Sequence, residues 1–204
     1  MDKVDFKKML KHLYQPSSKG FVIVDVPEMQ FLKVDGRGDP GTSEDYGRAV
    51  EWLYSVSYPI KFMSKVDLGK DYGVPPLEGL WWADDMSAFA EGDRESWQWT
   101  MMIMQPDWIT RDMFDAAAAK VEGKLRVPSE TVRFEPFSEG LSVQIMHIGP
   151  YSEEGPTIAR MHQEFIPENG LVEVGDHHEI YLGDPRRTAP ENLKTVLRQA
   201  VRRL

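Results

Sequence analysis

Glu179 lies beside an aromatic residue in the segment HHEIYLGD, residues 177–184. In a β-strand, successive side chains alternate between the two faces, so Glu179 and Tyr181 share one face while Ile180 and Leu182 share the other. We expect the apolar pair to pack beneath a helix. Glu179 and Tyr181 would then lie on the opposite face, where they could line a site.

Two kinds of chemistry suit a carboxylate beside aromatic rings. Charge and rings together bind a flat cationic ligand by ion pairing, stacking and cation–π contact. A carboxylate that is partly shielded from water also serves as a general base or acid. The structural alternative is an edge-strand glutamate paired with a nearby arginine or lysine, since glutamate is seldom buried unpaired. The residues alone leave these roles for Glu179 open.

The five histidines do not form a metal-binding pattern. His177 and His178 are adjacent, so in a strand they point to opposite faces. His162 lies on a predicted helix without a second histidine at helical spacing, and His147 is alone in an apolar strand, where it suits a core or a pocket wall. The chain has no cysteine, which excludes disulfides, thiolate catalysis and cysteine-bound zinc. We expect neither a metal nor a cofactor.

Two familiar motifs are incomplete or missing. VDGRGDPG is rich in glycine but lacks the spacing and the Lys-Ser/Thr of a phosphate-binding P-loop, and its acidic residues would repel phosphate. We interpret it as a strand-to-helix turn. The chain contains no G-x-S-x-G nucleophile elbow.

Hydrophobic periodicity predicts the elements that position these residues. Helices are expected in VDFKKMLKHLY, in YGRAVEWLYSVSYPIKFM (ended or kinked by Pro59), in TRDMFDAAAAKVEGK (begun by Thr110, with Gly123 just past its end) and in PTIARMHQEFIPENG (stopped at Pro167–Gly170). Strands are expected in FVIVDVP, MQFLKVDGRG, PPLEGLWWAD, SWQWTMMIMQP, LSVQIMHIGPY and HHEIYLGDP. The last segment, ENLKTVLRQAVRRL, fits either a helix or a strand.

The same order of elements occurs twice along the chain. A strand running into glycine, a helix, an aromatic strand ending in Ala-Asp or Gly-Asp, and a final strand make up each copy, and Trp81 and Tyr181 occupy matching places. This repeat predicts a βαββ unit used twice, joined by the alanine-rich helix, and it favours a strand for the last segment. The predicted fold is therefore α+β, an antiparallel sheet with helices on one face and a ligand cleft.

Composition limits the class of protein. The 204 residues are 41% hydrophobic and 28% charged, which permits a real core and argues against disorder. A net charge of −9 argues against nucleic-acid binding. No apolar run approaches the roughly 20 residues that a membrane helix needs. We expect a cytoplasmic protein with no nucleic-acid and no membrane partner.

From residue 26 onward, most of the chain resembles the GyrI-like small-molecule-binding proteins, in particular their stand-alone bacterial members. The resemblance rests on VPEMQFLKVDGRGDP, SVSYPIKFMSK, PPLEGLWW, WQWTMMIMQP, QIMHIGPYSEE and HHEIYLGDPRRTAPENLKTVLRQ, in this order and spacing. One departure is Ala200, where the family more often has proline.

The resemblance implies tandem βαββ modules of the SHS2 type, with pseudo-twofold symmetry and a central ligand cleft. We accordingly predict a single GyrI-like domain over residues 1–204. Its predicted parts are an N-terminal helical extension (1–25), a first module (26–106), a connecting helix (107–127) and a second module (128–204).

The resemblance also implies a site and a reaction. In related multidrug-sensing regulators, a pocket glutamate that meets cationic aromatic drugs matches Glu179. Some stand-alone members hydrolyse cyclopropanoid cyclohexadienones, where a pocket carboxylate activates the water that opens the strained ring. Carried over to this chain, Glu179 has the carboxylate role and Tyr181 is its hydrogen-bonding partner. The implied ligand-binding residues are Trp81, Trp82, Trp99, Met101, His147, Tyr151 and Glu78. Strand alternation prevents Trp81 and Trp82 from both facing the ligand.

Three functions follow as hypotheses. The chain could hydrolyse cyclopropanoid compounds, bind and sequester flat xenobiotics without turnover, or contact gyrase as the namesake of the family does. The expected partner is a small hydrophobic or cationic aromatic ligand. The sequence leaves the oligomeric state open.

Overall fold

The computed structural model describes residues 2–84, 93–125 and 131–204, without the side chains of Lys124 and Leu125. It divides the chain into two compact units. The first runs up to Met9 and resumes over Met29–Phe137, and the second combines Leu10–Glu28 with Ser138–Leu204. The predicted module boundary between residues 127 and 128 lies outside the described residues.

Eight strands and six helices are described in these ranges. In chain order they are α1 (Phe6–Met9), α2 (Lys11–Tyr14), β1 (Val22–Val26), β2 (Met29–Arg37), α3 (Glu44–Asp67), β3 (Leu77–Trp82), β4 (Gln98–Gln105), α4 (Arg111–Leu125), β5 (Arg133–Phe137), β6 (Gly140–Ile148), α5 (Gly155–Arg160), α6 (Ile166–Glu168), β7 (Leu171–Tyr181) and β8 (Lys194–Arg203). A π turn, Met161–Phe165, joins α5 to α6, and 3₁₀ turns lie at Arg94–Ser96, Tyr151–Glu153 and Pro190–Asn192.

The first unit contains four antiparallel strands in the order β3-β4-β2-β5. Helix α3 begins at Ser43, whose hydroxyl accepts a hydrogen bond from the Tyr46 amide. Its buried side carries Trp52, Leu53, Val56 and Ile60. Because Pro59 lies between these buried residues, packing outweighs the backbone hydrogen bond that proline removes, and the helix does not end there as predicted.

The second unit also contains four antiparallel strands, in the order β1-β6-β8-β7. Its core joins the strands to the α5–α6 helix through a buried set of side chains: Val143, Ile145, Met161, Ile166, Leu171, Leu197 and Val201. The ambiguous last segment is strand β8, as the repeat favours.

A buried charged cluster lies on the other face of this second sheet. His178 Nδ1 is 3.0 Å from Glu139 Oε1, and Arg198 donates from Nη1 to Glu139 Oε2 at 3.1 Å. Arg198 also donates to the backbone carbonyl of Leu13 at 2.8 Å, so α2 lies on this face. Burial alone would raise the pKa of Glu139, but the charges of His178 and Arg198 hold it at about 2.

The α+β class and the antiparallel strand pairing agree with the prediction, whereas one helix end and one strand differ. Helix α4 begins after Thr110 as predicted but runs through Gly123, which does not adopt the left-handed conformation of a helix end. The helix after β6 ends at Glu168, within the predicted Pro167–Gly170 stop, and Gly170 has a φ of +65°. Strand β5 was not predicted, because Pro136 in RFEPF is unusual in strands.

Within the described residues, no helix combines the length and the apolar character that a membrane span requires.

Candidate functional site

Three neighbouring strands of the second unit place predicted residues in adjacent positions. In the strand register, Thr195 of β8 lies opposite His147 on one side and opposite Tyr181 on the other. Two residues further along β8, Leu197 lies opposite Glu179. Residues that are directly opposite share a face, so Tyr181 and Glu179 lie on the same face as Leu197.

This face is the one that the helix covers, which corrects the predicted orientation. Leu197 packs in the core with Met161 of the π turn and Ile166 of α6. Alternation correctly separates Glu179 from Ile180, but Glu179 and not Ile180 lies on the helix side. Ile180 shares its face with His178 and the buried charged cluster.

Glu179 is held by the tyrosine two residues further along the strand. The Tyr181 hydroxyl donates to Glu179 Oε2 at 2.7 Å. The other carboxylate oxygen, Oε1, lies 3.6 Å from His177 Nε2. The Glu179 side chain is 16% exposed. Neither ring nitrogen of His177 has a hydrogen-bond partner within the described residues. The Glu179 carboxylate is therefore held in place by Tyr181, as predicted for this pair, and is partly shielded from water.

Tyr151 contributes an aromatic edge to the same place. Strand β6 ends at Ile148, the next residue, Gly149, has a φ of +141° that favours glycine, and the 3₁₀ turn that follows begins with Tyr151. The Tyr151 and Tyr181 rings meet edge to face, with centroids 5.7 Å apart. Burial, together with the charges of Glu154, Glu179 and Asp184, raises the pKa of Tyr151 to about 12.

His147 lies beside this turn. Its Nε2 lies 3.3 Å from the carbonyl oxygen of Pro150. A β-carbon on Gly149 would lie 3.2 Å from the same nitrogen, so the ring and the turn pack closely. His147 is half-buried.

Glu154 is a second carboxylate of this site, and sequence reasoning missed it. It is buried at 4% exposure. Its pKa is raised to about 9, first by burial and then by the charge of Glu179, while the nearby Thr195 hydroxyl opposes this rise. The signal available was a glutamate in QIMHIGPYSEE, directly before a helix that begins with Gly-Pro.

The first unit holds two of the predicted aromatic residues, Trp81 and Trp99, in a cluster of its own. Trp81 and Trp99 lie opposite each other in the strand register. Tyr46 of α3 stacks on Trp81 at 6.3 Å and meets Trp99 edge to face at 5.4 Å. Trp97 meets Trp81 edge to face at 5.9 Å.

The remaining three predicted residues differ in orientation. Met101 and Glu78 are fully buried. The Met101 side chain packs against Gly79, where a β-carbon would crowd it. Glu78 lies opposite Met102, on the face away from Trp81. Trp82 shares that face and is half-buried, so Trp81 and Trp82 do point to opposite faces, as alternation predicts.

A surface cavity of about 520 Å³ lies elsewhere in the first unit, between α4 and β5. Its lining includes Arg111 and Asp115, which pair with each other at 3.2 Å. None of the predicted site residues lines it. Among the described residues, no group of three or more histidine or acidic side chains is placed to hold a metal ion.

The second-unit site brings two carboxylates, two tyrosines and two histidines together on one end of the sheet. Such a set binds cationic or polar aromatic molecules and moves protons. The charge of Glu179 acts on Glu154, so the two carboxyl groups are chemically linked.

Solved structures resemble this chain over nearly its whole length. An uncharacterized conserved protein from Listeria innocua is 44% identical, with a TM-score of 0.89, over 98% of this chain and 100% of that chain. A hydrolase from Listeria innocua is 43% identical, with a TM-score of 0.84 and the same coverage. The C-terminal domain of EcmrR, 10% identical with a TM-score of 0.57, covers 91% of this chain and 98% of its own and shows a shared fold alone.

A search of the curated proteins finds no significant match. The sequence profile of the GyrI-like small molecule binding domain matches residues 21–201, which cover both βαββ runs except the last two residues of β8 and include every residue of the site described above. The fold, the repeat and this match agree, and the chain belongs to the GyrI-like family of small-molecule-binding domains.

Proposed function

We propose that this protein binds a flat aromatic small molecule and hydrolyses cyclopropanoid cyclohexadienones, with Glu179 as the base that activates water. The observation that carries the proposal is the Glu179 carboxylate, partly shielded and fixed by the 2.7 Å hydrogen bond from Tyr181. A relative from Listeria innocua that is 43% identical over 98% of this chain is a hydrolase, which supports the reaction class.

The reaction needs a base and a proton donor. Glu179 takes a proton from water, and the water oxygen forms a bond to the cyclopropane methylene carbon. The carbon–carbon bond of the strained ring breaks, and its electron pair moves into the dienone ring, which becomes a phenolate. Protonation of the former carbonyl oxygen gives the phenol. Water is consumed, and no oxidant or reductant is required.

The surroundings of Glu179 suit such a ligand. The rings of Tyr151 and Tyr181 are in edge-to-face contact beside the carboxylate and offer aromatic surface to a flat molecule. The carboxylates of Glu179 and Asp184 lie close enough to affect Tyr151, so the local charge favours a cationic or electron-poor ligand. Tyr151 is 39% exposed, so its ring is accessible from solvent. The other ligand-binding residues stay predictions: Trp81, Trp82, Trp99, Met101, His147 and Glu78.

The test compares two glutamate-to-glutamine variants on a cyclopropanoid cyclohexadienone substrate. Glu179→Gln keeps the shape of the side chain but removes the base, so we expect kcat to fall by ~100-fold or more, with the Kd for a fluorescent aromatic dye within about threefold of the wild type. Glu191→Gln alters an exposed glutamate that precedes β8 and should leave both constants unchanged.

Undiminished turnover by Glu179→Gln would contradict the catalytic role of Glu179. Tight binding of the substrate by the wild type without ring-opened product would support the sequestering function in place of hydrolysis. The predicted gyrase contact has its own readout, since an inhibitor of that kind would block supercoiling at stoichiometric protein.

A further inference from the structure

Glu154 occupies a position where a glutamate normally serves a helix, but it does not do so. It directly precedes α5, and its backbone carbonyl accepts from the amides of Thr157 and Ile158. An acidic side chain at such a position usually accepts hydrogen bonds from the first helical amides. Here the side chain makes no such bond, and it is turned into the protein at 4% exposure. Helix capping therefore does not explain this residue.

Several buried polar atoms near Glu179 lack a hydrogen-bond partner in the described part of the chain. Glu154 Oε1 and both ring nitrogens of His177 are buried and have no such partner within the described residues. Buried polar atoms in native proteins are nearly always hydrogen-bonded, and exceptions concentrate where a ligand or a reaction uses them. His177 Nε2 lies 3.6 Å from Glu179 Oε1, and the charge of Glu179 acts on Glu154, so these atoms lie near the proposed base.

We propose that Glu154 is a second catalytic residue of this site, a proton donor to the carbonyl oxygen of the ligand that works as a pair with Glu179. The inference rests on the proposed function and assigns the proton that the reaction still lacks. The orphaned Oε1 atom is the one that would face the ligand oxygen. A carboxylic acid beside a carboxylate is a common acid–base arrangement, because the shared site keeps one of the two groups protonated.

The proton balance closes within the pair. Glu154 gives its proton to the dienone oxygen as the cyclopropane bond breaks, while Glu179 accepts the proton of the attacking water. The product is the neutral phenol with a new hydroxymethyl group. Glu154 is then the carboxylate and Glu179 the acid, and passage of one proton between them restores the starting state.

The groups around Glu154 allow its titration to be recognised. Glu179 of β7 and the Thr195 hydroxyl of β8 act on it. The other titratable groups on this face include Tyr151, Tyr181, His147 and Asp184, together with His177, which lies 3.6 Å from Glu179, and the His162–Glu173 pair. The pKa of Glu154 is about 9, whereas that of Tyr151 is about 12. Loss of a required proton near pH 9 therefore belongs to Glu154 and not to Tyr151.

The experiment measures kcat for the same cyclopropanoid substrate between pH 6 and pH 10.5. For the wild type we expect kcat to fall as the pH rises through about 9, where Glu154 loses its proton. For Glu154→Gln we expect kcat at pH 7 to be at least ~100-fold lower than that of the wild type, with no fall in kcat near pH 9. The Kd for the fluorescent dye should stay within about threefold of the wild-type value. The matched control is Glu153→Gln, an exposed glutamate next to it in the chain.

A second readout requires neither turnover nor a stable variant at high pH. Infrared spectroscopy of the wild type at pH 7 should show the carbonyl band of a protonated carboxylic acid. The band should persist in Glu153→Gln and be absent from Glu154→Gln. Absence of the band from the wild type would overturn the inference.

The outcomes separate the two proposals. If the wild type opens the ring and Glu154→Gln keeps its kcat and its pH profile, this inference is wrong and the proposed function stands. If the wild type shows no turnover, the proposed function fails and the donor role fails with it.

Discussion

Two buried glutamates of the second unit differ in charge because their neighbours differ. Glu139 has His178 and Arg198 within hydrogen-bonding distance, and its pKa is about 2. Glu154 has a carboxylate and a hydroxyl nearby, and its pKa is about 9. Burial alone would raise the pKa of both glutamates, so the neighbouring groups decide whether each pKa rises or falls. The Glu139 cluster attaches α2 to the sheet, whereas Glu154 is the group that we assign to chemistry.

The raised pKa of Glu154 has a consequence for stability that does not depend on catalysis. An ordinary glutamate has a pKa of 4.5, so between pH 4.5 and about 9 the folded protein keeps a proton that the unfolded chain releases. Folding stability attributable to this residue therefore decreases as the pH rises through that range. Glutamine carries no such penalty.

We expect Glu154→Gln to be more stable than the wild type at pH 8 to 9, by ~1 kcal/mol or more, since one pKa unit corresponds to about 1.4 kcal/mol. The advantage should shrink toward pH 5. Urea unfolding of both proteins and of Glu153→Gln at pH 5, 7 and 9 measures it. A difference that stays constant with pH would show that Glu154 is not held in the protonated form.

At the scale of the elements, glycine positions in the first sheet make room for tryptophan. Gly36 of β2 lies opposite Trp99 of β4, and a β-carbon on Gly36 would lie 2.1 Å from the Trp99 ring. The ring thus lies flat over the glycine backbone, and its Nε1 donates to the carbonyl of Gly38 at 3.3 Å. The predicted strand MQFLKVDGRG passes through Gly36, and β2 continues through it to Arg37 because the partner ring supplies the missing side-chain packing.

Gly36→Ala should destabilise the protein by ~1–3 kcal/mol, because the fully buried Trp99 ring has to move. Gly47→Ala is the matched control: Gly47 lies in the first turns of α3 with open space around its β-carbon, so alanine should be neutral or stabilising by up to ~1 kcal/mol. Thermal unfolding of the two variants measures both effects. Equal stability of Gly36→Ala and the wild type would show that the Trp99 ring is not held against this glycine.

At the scale of the whole molecule, the chain contains two βαββ runs, but its two compact units are not two consecutive segments of the sequence. Each unit contains one βαββ run and one further strand. The strand that precedes the first run, β1, pairs with β6 of the second unit, and β5, which precedes the second run, pairs with β2 of the first. The first unit therefore contains β5, which precedes the second run in the sequence, and the second unit contains β1, which precedes the first run.

This exchange predicts the behaviour of fragments cut between residues 127 and 128. Fragment 1–127 lacks β5 and fragment 128–204 lacks β1 and α2, so each has an unpaired strand edge. We expect neither fragment to unfold cooperatively by itself and a mixture of both to regain a cooperative transition, as followed by circular dichroism in urea. Cooperative unfolding of either isolated fragment would contradict this division of the chain.

Local patterns predicted much of this structure, and non-local contacts account for most of what they missed. Period-two alternation placed Glu179 with Tyr181, and the repeat identified β8 as a strand. Local patterns could not predict which face of the second sheet the helix covers. That face is set by the packing of Leu197 against Met161, two residues that are distant in sequence. Glu154 was missed since a glutamate before a helix is typical of an ordinary cap, and only its burial distinguishes it.

If Glu179 supports repeated hydrolysis at this site, each protein chain releases many product molecules, and counting them shows whether it does. With a cyclopropanoid cyclohexadienone in hundredfold excess, we expect the wild type to release many equivalents of the hydroxymethyl phenol, and Glu179→Gln to release almost none in the same time while still binding the compound. Product that stops at one equivalent per chain, or equal release by the variant, would contradict the account.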